Sequence, residues 1–133
     1  MAVMVSISSL SCTLHSAFSD DIDPMEIAAN EVVFFSEMLK AGMAQRDAMP
    51  DKDSRFFDVQ FSDIITDPIA IIDNLYQHFG FDFSTEARQA MQHYLDYRPR
   101  DKHGTHQYTL EEFGLSRKEH NPLFQEYNQR YGF

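Results

Sequence analysis

A chain of 133 residues is long enough for one domain with a modest core. Its 43 % hydrophobic and 14 % aromatic content, with twelve Phe and six Tyr, is too apolar for a disordered tail. Eleven basic residues against 21 acidic ones give a formal charge of −10, which repels a nucleic-acid backbone but still admits a small anion held by a few local donors. The single cysteine, Cys12, rules out an internal disulfide and a Cys-based zinc site, so the cytoplasm is the expected compartment.

In the first segment Met4, Ile7, Leu10, Leu14 and Phe18 recur at three- and four-residue steps, which predicts a helix with an apolar side. Ser6, Ser9, Thr13 and Ser16 fall on another side. The run from Met1 to Leu14 is broken by serines, has no basic leader and is shorter than the roughly 20 residues that span a bilayer. Neither a signal peptide nor a membrane anchor is expected from it. Asp23-Pro24 then supplies a cap and a first-turn proline for a second helix. Ala28, Val32, Phe35, Leu39 and Met43 stripe that helix. Val33, Phe34 and Met38 widen the stripe until it calls for neighbours on more than one side.

After a polar loop at 49–54, Phe57, Val59 and Phe61 alternate with Asp58 and Gln60, the pattern of a strand with one buried face. It is the one clear β-strand, in a chain otherwise mostly α-helical. A single strand cannot satisfy its own backbone, so it needs a sheet that these residues do not encode, and its free edge predicts self-association. Asp67-Pro68 repeats the cap-plus-proline device for a helix ending at Gly80, and Ser84 opens another. Beyond a polar stretch from Arg98 to His106, Thr109 with Glu112 and Ser116 with Glu119 both fit the capping box, predicting a short turn of helix and a final helix.

Three blocks carry a resemblance: Val3-Met4-Val5-Ser6-Ile7-Ser8-Ser9-Leu10, then Phe57-Asp58-Val59-Gln60-Phe61-Ser62-Asp63-Ile64-Ile65-Thr66-Asp67-Pro68, then Lys102-His103-Gly104-Thr105-His106-Gln107-Tyr108-Thr109 with Phe113-Gly114-Leu115. In this order and spacing the chain resembles the C-terminal half of a bacterial-type sulfotransferase that uses 3′-phosphoadenosine-5′-phosphosulfate. The resemblance implies an α/β fold, a central parallel sheet related to the P-loop kinases, and a small-molecule hydroxyl acceptor. It also implies that residues 1–133 are the C-terminal portion of a single sulfotransferase domain, truncated and inactive alone.

In that family an Arg-Asp-Pro motif precedes the first helix. Its arginine, with a serine eight residues later, holds the donor's 3′-phosphate. The resemblance places the serine at Ser6 and the arginine upstream of Met1. Read on its own chemistry, Ser6 is either a neutral donor to an anion or one of several small hydroxyl residues on a close-packed helix face. Arg98, Arg100, Lys102, His103 and Gly104 gather cations around a glycine and resemble the segment that closes over the nucleotide, without the Arg-Lys-Gly form of the cytosolic animal enzymes. A solvated basic loop is the other reading of them. Asp101, His103 and His106 on one loop are too few and too local for a metal site, and no catalytic residue is assigned, His15 included. No glycine-rich phosphate loop occurs, since the five glycines are isolated at 42, 80, 104, 114 and 132. The rival reading is a non-catalytic helical binding module that keeps the family scaffold.

Overall fold

The computed structural model describes residues 1–97 and 108–133. They fall into two compact units, one of Met1–Ala48 with the segment from Tyr108 to Phe133, the other from Met49 to Tyr97.

In the first unit α1 (Ala2–His15) packs on α2 (Pro24–Asp47). Asp23 caps α2 as the sequence predicts: its carboxylate accepts from the backbone N–H of Met25 at 2.8 Å, and Pro24 stands in the first turn. The buried stripe of α2 is Ala28, Val32, Ser36 and Met43. Met4 and Val5 of α1 join Ala28, Val32, Phe113 and Leu115 in the core. The buried face of α1 differs from the expected one. Leu10, Leu14 and Phe18 are exposed, and Ser8 is completely buried. Ser8 and Ser11 can turn inward because both hydroxyls donate to the Glu31 carboxylate of α2, and small side chains let the helices approach.

The C-terminal segment of this unit is a succession of short turns. Thr109 and Glu112 form a reciprocal capping box: the Thr109 N–H donates to Glu112 Oε2 at 2.9 Å and the Glu112 N–H to Thr109 Oγ1 at 3.4 Å. A 3-10 turn at Glu111–Phe113 follows and ends at Gly114 with φ +62°. The expected final helix is broken into α7 (Arg117–His120), a 3-10 turn (Asn121–Phe124) and α8 (Gln125–Tyr131). Pro122 accounts for the break, because it has no N–H to continue the ladder. At the far end of α2, Arg130 makes paired bonds of 2.7 and 2.6 Å to Asp47 and ties α8 down.

The second unit holds α3 (Lys52–Arg55), α4 (Phe61–Thr66), α5 (Pro68–His78) and α6 (Thr85–Tyr97). The expected strand is absent. Phe56 and Gln60 do have extended backbone, but residues 56–60 join no ladder, and Phe61 begins a helix. Alternating residues were enough to extend the chain, but a strand exists only beside a second strand, and the described residues contain none. The expected α/β fold with a parallel sheet is therefore corrected: the described residues are helical and contain no strand. The free strand edge on which self-association was expected disappears with it.

Asp67 caps α5 by accepting from the Ala70 N–H at 3.0 Å, and Ser84 caps α6 through the Ala87 N–H at 3.1 Å. The α5 terminus is a Schellman motif: the Phe81 N–H reaches the Tyr76 carbonyl at 2.8 Å and the Gly80 N–H that of Gln77 at 3.1 Å, with Gly80 at φ +68°. The accompanying side-chain contact is present as Tyr76 against Phe81, edge to face with centroids 6.1 Å apart. Arg88 of α6 lies 4.7 Å over the Phe83 ring and donates to Asp73 of α5 at 2.6 Å. This bond holds the Asp73 carboxyl below its ordinary range.

Candidate functional site

Along α1 the hydroxyl side chains have separate uses. Ser8 donates to Glu31 Oε2 at 2.7 Å, Ser11 donates to Glu31 Oε1, Thr13 returns to the Ser9 carbonyl at 2.9 Å and Ser16 to the Thr13 carbonyl at 2.8 Å. Ser6 is exposed, and its hydroxyl makes no bond among the described residues. At 100° per residue, Ser6 stands about 160° around the helix from Ser8. The grip of Glu31 on Ser8 and Ser11 thus fixes the rotation of α1 so that Ser6 points away from α2. What Ser6 offers there is one neutral O–H donor in the second turn of a fourteen-residue helix.

The other predicted donor-binding residues, Arg98, Arg100, Lys102, His103 and Gly104, lie outside the described residues, as do Asp101 and His106. His15 is exposed at the end of α1. Cys12 is half-buried beside the core, and burial, with the charges of Glu31 and Asp23, raises its thiol above the ordinary value. The described glycines outside α2 all end helical turns, Gly80, Gly114 and Gly132 each at positive φ, and this accounts for them without a phosphate cradle.

Sequence reasoning missed Glu31. The signal was present: a carboxylate inside the apolar arc of α2, three residues after Ala28 and one before Val32, opposite a helix with serines at an i, i+3 spacing. A buried-face charge of this kind requires donors, and α1 holds the nearest ones.

Each unit also contains a concavity. In the second, a space of about 300 Å³ is bordered by Thr66, Asp67, Gln92 and Asp96, and an apolar one of about 380 Å³ lies between Ile72 of α5 and Met91 and Tyr94 of α6. In the first, an open groove of about 390 Å³ runs along α7 and α8. Among the described residues no group of three His, Cys, Asp or Glu side chains is placed to hold a metal ion, and no helix is long and apolar enough to cross a membrane.

The chain belongs to the sulfotransferase family, whose sequence model matches residues 2–86. That span contains Ser6, the whole of α1 and α2, and the Phe57-to-Pro68 block. It ends before the basic segment and the capping boxes that follow it. No curated protein and no solved structure matches.

Proposed function

We propose that this chain contributes to sulfuryl transfer from 3′-phosphoadenosine-5′-phosphosulfate to a hydroxyl acceptor, with Ser6 and the segment holding Arg98, Arg100, Lys102, His103 and Gly104 at the donor's 3′-phosphate. One observation supports it above others. Within the family-matched span, Ser6 is held outward on a helix whose neighbouring serines are tied to Glu31. A hydroxyl so presented donates to a phosphate oxygen, and the cations of segment 98–104 supply the charge that a dianion requires.

Sulfuryl transfer asks a protein mainly for alignment and charge stabilisation, by analogy with phosphoryl transfer. The acceptor oxygen bonds to sulfur as the bond from sulfur to the 5′-phosphate oxygen breaks. The acceptor proton passes to a base, and the 3′,5′-bisphosphate leaves. Ser6 fits the 3′ end of that donor. Nothing in these 133 residues fits its 5′ end, since there is no glycine-rich phosphate loop, and the Arg-Asp-Pro arginine that would share the 3′-phosphate with Ser6 is not among them either. These residues alone are therefore expected to bind the nucleotide weakly and not to transfer sulfate.

Titration calorimetry with adenosine 3′,5′-bisphosphate tests the reading on the chain and on its Ser6→Ala and Lys102→Ala variants. Losing one hydrogen bond to a charged group should weaken binding on the order of 1.5–3 kcal/mol in each variant. Equal affinity in all three proteins would put the nucleotide elsewhere. Absence of binding in the unaltered chain would favour the non-catalytic helical module.

A further inference from the structure

Among the described residues most of the cations of this acidic chain are committed. Lys40, Arg55, Arg88 and Arg130 pair with Glu37, Asp51, Asp73 and Asp47, Arg46 reaches the Tyr131 hydroxyl at 3.4 Å, and Lys52 also has a partner. Arg117 and Lys118 differ: among the described residues neither has a carboxylate partner. Both line the same groove of about 390 Å³ in the first unit. No acidic residue lines it, and Glu119, next along the chain, is turned to the Ser116 hydroxyl at 3.0 Å. In a chain of net charge −10, two adjacent cations without a carboxylate partner among the described residues, set along one open groove, make a local site for an anion.

The rest of the lining narrows the anion's chemistry. Asn121, Gln125, Asn128 and Gln129 bring carboxamides, each of which both donates and accepts. Phe133, stacked on Tyr127 with centroids 6.0 Å apart, adds an exposed ring to the lining. A simple inorganic ion would use the cations and leave the amides idle, whereas alternating donors and acceptors beside an aromatic face match a ring bearing several hydroxyls. The volume lies at the small end of ligand pockets and suits a molecule of one or two rings.

We infer that the α7–α8 face is a binding site for a sugar bearing a tetrahedral oxyanion, a phosphate or sulfate ester on a polyhydroxyl ring, held by Arg117 and Lys118 through the anion and by the carboxamides through the hydroxyls. The site lies outside the family-matched span and does not depend on the donor site proposed above.

The test is a ¹H–¹⁵N chemical-shift titration of the full 133-residue chain with glucose 6-phosphate, glucose 6-sulfate, glucose, inorganic phosphate and inorganic sulfate. Saturable shifts confined to residues 117–133 are expected with the sugar esters, weakening as salt is raised. Affinity should fall at least about tenfold in Arg117→Gln/Lys118→Gln, the loss of one charge-assisted hydrogen bond, and stay the same in Ser6→Ala. The ratio between the two esters identifies which anion the site takes. An unchanged melting temperature and unchanged amide spectrum away from residues 117–133 show that the double variant is folded. Asn128→Ala offers a second, charge-neutral check and should weaken the esters but not the inorganic ions. Three results would overturn the inference: no saturable shift with either ester, equal binding by the double variant, or inorganic ions binding as tightly as their sugar esters.

Discussion

Glu31 turns a serine-rich helix face into an interface. Ser8 is fully buried, and its hydroxyl has a partner because the carboxylate faces it. Glu31→Ala would leave that hydroxyl buried without an acceptor, at a cost of about 1–3 kcal/mol, whereas Glu31→Gln keeps one acceptor oxygen and should lose less. Chemical denaturation of Ser8→Ala, Glu31→Ala and the double variant checks this, and the double variant should be less destabilised than the sum of the singles. Strict additivity would mean that the two groups do not act together. The same carboxylate acts on Cys12, whose thiol is raised first by burial and then by the Glu31 charge. A raised thiol holds less thiolate near pH 8, so Cys12 should alkylate slowly, and Glu31→Gln should speed it by lowering the pH at which the thiol ionises. Rates with iodoacetamide between pH 7 and 9 give the comparison; a variant no faster than the parent would show that the Glu31 charge does not act on the thiol. None of this could be taken from apolar spacing alone. Met4 was legible as a core residue. Leu10, Leu14 and Phe18 share its spacing yet are exposed, because three- and four-residue steps do not reveal that paired serines can be buried instead.

Helix boundaries were the most legible feature of the chain, since each rests on local chemistry. Asp23-Pro24, Asp67-Pro68, Ser84, Thr109 and Ser116 all start helical turns where the sequence places them, and Gly80 ends one. Alternation at 57–61 specifies an extended backbone but says nothing about a second strand, and a strand exists only with one. The glycine stops allow a graded test. Gly80 at φ +68° has open space where a Cβ would go, so Gly80→Ala meets only backbone strain, on the order of 1 kcal/mol. At Gly114, φ +62°, an added Cβ would stand 3.3 Å from Met25 Cγ and force that side chain aside. Gly114→Ala should therefore destabilise more than Gly80→Ala when both are followed by thermal melting. The reverse order would show that Met25 gives way freely.

Over the whole molecule, burial is uneven between the two units. Met4, Val5, Ala28, Val32, Met43, Phe113 and Leu115 are buried hydrophobics of the first, while Ile69 is the buried hydrophobic residue among the described residues of the second. The second unit relies instead on half-buried aromatic contacts such as Tyr76 with Phe83 and on the half-exposed Arg88–Asp73 pair, which solvent still screens. Apolar area removed from water is the main term that keeps a helix from opening, at roughly 25 cal/mol per Å². The amides of α5 and α6 should therefore exchange through local openings of lower free energy than those at the centre of α2. Hydrogen exchange followed residue by residue in mild denaturant measures both. Protection factors at least tenfold higher around Ala28 and Val32 than around Ile72 and Met91 are expected, with the α5–α6 amides losing protection at lower denaturant. Equal protection would mean that the aromatic contacts of the second unit hold it as firmly as the buried core holds the first.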